Sequence, residues 1–266
     1  MTVRDFRRLK GREKIPVLTC YDFAMAKLLD AAGVPVFLVG DSLGNVVLGF
    51  ESTVPVKLRH MIHHAAAVMR AQPRALVVVD LPFLSYQVTA PRALAAAGRV
   101  IQESGADAVK LEGGERTVRA IRKIVEAGIP VMGHLGLTPQ SVLAFGGYPV
   151  KGRGAEADTL FDDARRLEDA GCFGLVLEKV PAALAARVTQ ALSIPTIGIG
   201  AGPDCDGQVL VLNDMLGIDP SFAPRFVRRY AEVGAAVREA ATRYCAEVRD
   251  GGFPTAAHSY AEEPPA

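Results

Sequence analysis

The chain has little that would send it to a membrane, a nucleic acid or an oxidising compartment. In its 266 residues no apolar run reaches the ~20 needed to span a bilayer. Lys and Arg number 30 against 29 Asp and Glu, a formal charge of +1. No basic block interrupts the chain, so there is no electrostatic footprint for nucleic acid or anionic lipid. The first ten residues, Met-Thr-Val-Arg-Asp-Phe-Arg-Arg-Leu-Lys, are charged and lack the apolar core of a signal peptide. The cysteines (Cys20, Cys172, Cys205, Cys245) are scattered, with no CxxC spacing. They read as ordinary thiols of a reducing cytosol, and the protein is expected to be cytoplasmic. No GxGxxG follows the first strand, which weakens an open, doubly wound dinucleotide-binding sheet.

What is present is a repeating alternation of apolar strands and helices. Half of the residues are hydrophobic, which fits one large α/β domain over 1–266. After a short amphipathic helix in 1–14, strands are expected at 16–20, 36–40, 75–79, 108–112, 130–134, 174–178, 195–199 and 208–212. Most are followed by a helix, including one capped by Asp22 and stopped by Gly33, and one opening near Pro91. A Gly-, Pro- and Arg-rich segment over 135–158 is long enough to suggest function. A final helix over 224–249 carries Phe226, Tyr230, Val233, Val237, Ala241, Tyr244 and Val248 on one face. The last dozen residues read as a loose or interface-docked tail. The strands are continuous runs, as expected when both sheet faces are covered. Eight such βα units in about 250 residues make a (β/α)8 barrel, with an open sheet as the runner-up.

The chemistry gathers at strand ends, where such barrels place their active sites. Ala108-Val109-Lys110-Leu111-Glu112-Gly113-Gly114 sets Lys110 and Glu112 on one face of an otherwise apolar strand. Two charges there are costly unless that face is a site. Strand two ends in Asp41-Ser42 and strand three in Asp80. Neighbouring strand ends lie ~5 Å apart, so Asp41, Asp80 and Glu112 converge. Like charges at 4 Å repel by about 4 kcal/mol at an effective dielectric near 20. Either some of these acids stay protonated or a divalent cation, Mg²⁺ or Mn²⁺, sits among them, in part through water. The bland alternative is that each acid caps the following helix.

Lys110 reads as a cation for a carboxylate or keto oxygen, as a Schiff-base lysine, or as the ion-pair partner of Glu112 or Asp80. His134, ending strand five, is a candidate for a substrate hydrogen bond or a proton shuttle, or a structural histidine. Glu178, ending strand six, is placed to take an α-proton, or else to pair with Lys179 or an arginine. His60, His63 and His64 sit at i, i+3 and i+4 but have no evident fourth ligand, and read as a solvated or packed helix face. Ile197-Gly198-Ile199-Gly200-Ala201-Gly202 allows either close approach of a ligand or close packing at the barrel mouth.

These residues carry a resemblance. Val39-Gly40-Asp41-Ser42-Leu43-Gly44, Asp80-Leu81-Pro82-Phe83, Val109-Lys110-Leu111-Glu112-Gly113-Gly114 and Gly133-His134-Leu135-Gly136-Leu137-Thr138-Pro139-Gln140-Ser141 closely resemble the ketopantoate hydroxymethyltransferase family. So do Phe145-Gly146-Gly147-Tyr148, Gly152-Arg153-Gly154, Leu177-Glu178 and Gly198-Ile199-Gly200-Ala201-Gly202, and the similarity runs from about residue 14 to His258-Ser259. The resemblance implies a Mg²⁺-dependent (β/α)8 enzyme of pantothenate and coenzyme A biosynthesis. Such an enzyme moves a hydroxymethyl group from 5,10-methylenetetrahydrofolate to 3-methyl-2-oxobutanoate, through a Mg²⁺-stabilised enolate, to give 2-dehydropantoate. By position it implies Asp41, Asp80 and Glu112 as metal-linked acids, and Asp41, Ser42, Asp80, Lys110 and His134 as substrate contacts. Glu178 becomes the proton acceptor. It also implies a homo-oligomer, a decamer built from pentamers. A barrel of the phosphoenolpyruvate mutase and isocitrate lyase type, and a non-catalytic 2-oxo acid binder, are the competing readings.

Overall fold

A computed structural model describes residues 1–261. Its strands are β1 (Ile15–Thr19), β2 (Val36–Val39), β3 (Leu76–Asp80), β4 (Ala108–Glu112), β5 (Val131–Gly136), β6 (Gly174–Glu178), β7 (Thr196–Ile199) and β8 (Gly207–Leu210). Each pairs in parallel with the next, and β8 returns to β1, so the barrel is closed. This is the (β/α)8 architecture expected from the alternation. The branched aliphatic runs explain the strands: β3, Leu-Val-Val-Val-Asp, is buried along its whole length, and so is β4. Local signals explain the helices. Asp22 Oδ1 accepts from Met25 N at 2.9 Å to open Phe23–Ala31. Thr89 caps Ala90–Ser104, with Pro91 in its first turn and left-handed Gly105 at its end.

Register fixes which side chains meet. Partners across a parallel pair share a face, as do residues two apart on one strand. Asp80 is opposite Lys110, Glu112 opposite His134, and Gly136 opposite Glu178. With the i, i+2 steps along β4 and β5, this chain of partners puts Asp80, Lys110, Glu112, His134 and Glu178 on one face, the barrel interior, near the strands' C-terminal ends. Gly136 has no freedom to be otherwise: its φ is +93°, and a Cβ there would lie 2.2 Å from the Glu178 carbonyl oxygen.

The opposite end of the barrel is plugged and tied. Phe6, from the helix Val3–Arg8, is wholly buried and meets Phe173 edge-on, with centroids 5.4 Å apart. Its ring takes the space of a Cβ on Gly174, which would sit 2.8 Å away. Asp206 accepts from Lys10 Nζ at 2.8 Å and from Thr196 N at 2.9 Å, linking β7 to the start of β8.

The segment over 135–158 is more ordered than a loop. β5 continues to Gly136, and Pro139–Ser141 and Val142–Phe145 form helical turns. The helix expected from 159 begins at Glu156. The chain divides into two compact units, Met1–Leu212 and Asn213–Ala266.

In the second unit the helix runs Val233–Asp250 rather than from 224. The reason lies in the backbone. The amides of Tyr230, Val233 and Gly234 donate to the carbonyls of Met215, Leu216 and Gly217, and Arg229 Nη2 donates to the Pro220 carbonyl at 2.8 Å. Phe226 and Tyr230 therefore belong to a non-helical stretch. Val237, Tyr244 and Val248 still share a helix face, and it is exposed. The expected tail shows a turn at Ala256–His258, and residues 262–266 lie outside the described residues.

Among the described residues no helix is long and apolar enough to cross a membrane. Cys20, Cys172 and Cys205 are buried, and burial pushes the Cys20 and Cys172 thiols up to about 12. Neither is a ready nucleophile.

Replacing Phe6 with Ala should empty the plug and cost about 3–5 kcal/mol of stability. Urea unfolding of the two proteins checks this, and an unchanged midpoint would show that the barrel end closes without it.

Candidate active site

Four strand ends and the loops after them build one buried cluster of charges. Lys110, Asp41, Asp80, Glu112 and His134 are each no more than 6% exposed. Lys110 Nζ lies 3.0 Å from Asp80 Oδ1 and 3.1 Å from His134 Nδ1. Asp80 Oδ2 accepts from Asp41 N at 3.0 Å, which turns the chain after β2 toward β3. His134 faces Glu112 Oε1 through Nδ1 and Glu178 Oε2 through Nε2, each at 3.4 Å. Ser42 Oγ is 2.9 Å from Tyr21 Oη. The residues expected at the site are thus brought together. Glu178 is nearer than the far side of the mouth, because His134 on β5 bridges it to β4.

The electrostatics follow from one ammonium shared by three carboxylates. Burial pushes the Asp41 carboxyl well above its ordinary value, and Asp80 and Glu112 push the same way against Lys110 and Gln140. Burial also raises Asp80, which the Lys110 charge offsets only in part. Burial disfavours the charged form of Lys110, but Asp80, Glu112 and Asp41 outweigh it and hold the ammonium above its usual range. Both members of the Lys110–Asp80 pair are raised, which favours a charged lysine and a protonated aspartate, because the site is buried and the lysine is outnumbered. For His134, burial and Lys110 oppose a proton, while hydrogen bonds to Glu112 and Glu178 outweigh them. As imidazolium, its two N–H groups face Glu112 and Glu178. As a neutral ring it can accept from Lys110 at Nδ1, which leaves the Nε2 proton facing Glu178.

Two residues that carried no assigned role complete the cluster. Gln140, in the turn after β5, is buried, and Nε2 donates to Asp41 Oδ2 at 2.8 Å and to the Leu81 carbonyl at 2.9 Å. Its Oε1 accepts from Tyr86 Oη at 2.8 Å and from Gln87 Nε2 at 3.1 Å. Its backbone N–H donates to Glu112 Oε2 at 3.1 Å, and Tyr86 Oη accepts from Glu112 N at 3.1 Å. The sequence signal was position alone: Gln140 falls inside the Gly133–Ser141 block, and Tyr86 in the loop after β3.

Other candidates resolve to packing. His64 Nδ1 is 2.7 Å from the Tyr21 carbonyl oxygen, and His60 Nδ1 accepts from Lys57 N at 3.2 Å. Gly198 is pressed against Cys205 and Gln208, and a Cβ on Gly202 would meet Ala182 at 2.5 Å. Gly198 in β7 and Gly202 after it thus serve close packing. Lys179 Nζ donates to the Tyr148 carbonyl at 2.8 Å.

Asp80 Oδ1, apart from its ion pair with Lys110, and His134 Nε2, apart from its 3.4 Å approach to Glu178, have no hydrogen-bond partner although both are buried. Both lie in this cluster, where each has capacity for a ligand. Among the described residues no group of three or more His, Cys, Asp or Glu forms a ready-made metal cage. Mg²⁺ does not need one. It is held through one or two carboxylates, with waters and substrate oxygens completing the octahedron. The hard oxygens of Asp41 and Asp80, beside Glu112, fit that description, and a cation would offset the burial and the repulsion that raise both aspartates.

The family model for ketopantoate hydroxymethyltransferase matches residues 1–256. The chain belongs to the ketopantoate hydroxymethyltransferase family. A 3-methyl-2-oxobutanoate hydroxymethyltransferase of Moorella thermoacetica is 56% identical over 262 residues, covering 98% of this chain and 97% of that one. The enzyme of that name from Syntrophus aciditrophicus is also 56% identical, covering 98% and 96%. Among solved structures, 2,3-dimethylmalate lyase of the PEP mutase/isocitrate lyase superfamily matches with a TM-score of 0.61 at 18% identity, covering 94% of this chain and 88% of that one. A phosphoenolpyruvate phosphomutase from Streptomyces platensis subsp. rosaceus matches at 0.62 and 13%, covering 94% and 88%. These two share the fold. The family membership rests on the sequence matches.

The raised Asp41 value has a consequence for stability. A buried acid of this kind contributes stability fully below its ordinary value of 3.8, and loses it as pH rises through the folded value. In EDTA, Asp41→Asn should therefore melt a few degrees above the unsubstituted protein at pH 8, with the gap shrinking toward pH 5. Thermal melts at the two pH values check this, and a lower melting point for Asp41→Asn at pH 8 would contradict it.

Proposed function

We propose that this site forms the enolate of 3-methyl-2-oxobutanoate and joins to it a one-carbon unit from 5,10-methylenetetrahydrofolate, giving 2-dehydropantoate for pantothenate and coenzyme A synthesis. The observation that carries this reading is the buried Lys110, ion-paired to Asp80 and linked through His134 to Glu178. It puts a cation for a developing oxyanion and a carboxylate for a proton on opposite sides of one imidazole. The names of the curated relatives point to the same acceptor.

Lys110 faces the keto oxygen and holds its negative charge as the proton leaves the neighbouring carbon. A preorganised charge in a water-excluded site is worth far more than the same charge in water. Glu178 removes the proton from the branched C3. Its side chain is 17% exposed, so it reaches the substrate space while staying held by the barrel. His134 orients Glu178 from one side and Lys110 from the other. Ser42 and Asp41, after β2, are placed to position the carboxylate end of the substrate. Water hydrolyses both C–N bonds of the methylene bridge, giving tetrahydrofolate and formaldehyde; C3 of the enolate then bonds to the formaldehyde carbon, and the former carbonyl oxygen takes a proton to become the hydroxyl. Asp41, Asp80 and Glu112 would hold Mg²⁺, which as a Lewis acid would polarise the 2-oxo acid. The exposed Val237, Tyr244 and Val248 support a homo-oligomer that covers this helix face.

Glu178→Gln should bind the 2-oxo acid about as well as the parent enzyme but lose deuterium exchange at C3 by at least about a hundredfold. Proton NMR of the substrate in deuterated buffer reads both, and exchange at the parental rate would remove Glu178 as the base. EDTA should abolish folate-dependent 2-dehydropantoate formation and Mg²⁺ restore it. Turnover that needs no folate would favour instead a lyase or mutase reaction on this barrel.

A further inference from the structure

We propose that Gln140 is a positioning residue whose carboxamide, locked by Tyr86, sets the acids of the site in their cation-holding orientation. This inference rests on the proposed metal role of those acids. Gln140 is attached to neither β2, β3 nor β4, yet it touches the chain after each of them. Its Nε2 donates to Asp41 Oδ2 and the Leu81 carbonyl, and its backbone N–H donates to Glu112 Oε2. One residue of the turn after β5 therefore fixes two of the three carboxylates and the main chain beside the third.

The amide can take only one orientation. Both of its N–H bonds and both lone pairs of Oε1 are used, the latter by Tyr86 Oη and Gln87 Nε2. Turned by 180°, the oxygen would face Asp41 Oδ2 and the Leu81 carbonyl, acceptor against acceptor, and the NH2 would face the NH2 of Gln87. Tyr86 supports this choice. Its oxygen accepts from Glu112 N, and its proton has the nearer acceptor in Gln140 Oε1 at 2.8 Å, against 3.1 Å to the Glu112 carbonyl. Tyr86 thus ties the backbone of Glu112 to the amide that holds the Glu112 side chain.

For the site the effect is a division of labour between oxygens. Asp41 Oδ2 and Glu112 Oε2 are each held by an N–H donor, so an ion would be taken by the second oxygen of Asp41, while Glu112 Oε1 lies toward His134. Carboxylates that ligate metals are themselves oriented by such hydrogen bonds, whose loss costs about 10–100-fold in metal affinity. A residue that served only to anchor the loop would leave that affinity unchanged once the protein was folded.

The test is Mn²⁺ binding by the full-length protein, followed by the loss of the free-ion electron paramagnetic resonance signal, in the parent, Gln140→Leu, Tyr86→Phe and the double variant. Thermal melts accompany it. Gln140→Leu should weaken Mn²⁺ binding about 10–100-fold. Tyr86→Phe should weaken it by less, and the double variant by less than the product of the two, because Tyr86 acts in part through Gln140. In turnover, the Mg²⁺ concentration for half-maximal rate should rise more than kcat falls. Should Gln140→Leu fail to fold, Tyr86→Phe alone carries the test. Parental Mn²⁺ affinity in the folded variants would overturn the inference and leave the metal role standing. Absence of Mn²⁺ binding by the parent protein would overturn the metal role and the inference with it.

Discussion

A single buried ammonium holds this site together. Lys110 sits in the barrel interior, 3.0 Å from Asp80 and 3.1 Å from His134, with Asp41 and Glu112 close enough to govern its protonation. Moving such a charge out of water costs several kcal/mol, and the neighbouring carboxylates must offset that. They do so to excess. Burial, together with three acids against one cation, leaves Asp41 and Asp80 inclined to take up protons. The cluster is stable enough to exist and unbalanced enough to attract a further positive charge. That imbalance is the physical basis for expecting a divalent ion, and for expecting the 2-oxo acid to be drawn to the same place.

The barrel supplies the geometry at little local expense. Parallel register alone aligns Asp80 with Lys110 and Glu112 with His134, and the two-residue step along each strand carries the alignment on to Glu178. His134 is the joint between two halves. On one side lie the ammonium and the acids, which in the proposed reaction would handle charge on the substrate oxygens. On the other lies Glu178, which would take the proton. Loops finish what strands begin. The Asp41 amide reaches Asp80 across the end of β2, and Gln140 and Tyr86 brace the acids from outside the strands.

Much of this was legible in the sequence because strand chemistry is local. A lysine and a glutamate two apart in an apolar run declare an inward-facing polar site, and strands ending in Asp41, Asp80 and Glu178 declare the same barrel end. Gln140 and Tyr86 were not legible in the same way. Their partners are Asp41, 99 positions from Gln140, and Glu112, 26 positions from Tyr86. Nothing in the spacing of a loop glutamine distinguishes a buried brace from a solvated turn. The start of the last helix was hidden for a related reason. Phe226 and Tyr230 keep helical spacing, but the amides of Tyr230, Val233 and Gly234 are already committed to the carbonyls of 215–217. Periodicity reports a face, and hydrogen-bond competition decides where the helix begins.

The acids around Lys110 would form a cation site for a bound 2-oxo acid. An anomalous difference map from crystals grown with Mn²⁺ and 3-methyl-2-oxobutanoate tests it most directly. One peak is expected within about 2.0–2.3 Å of carboxylate oxygens of Asp41 and Asp80, with Glu112 contacting the ion or its water and the keto oxygen between the ion and Lys110. A map with the 2-oxo acid bound beside Lys110 and no peak among these carboxylates would contradict it.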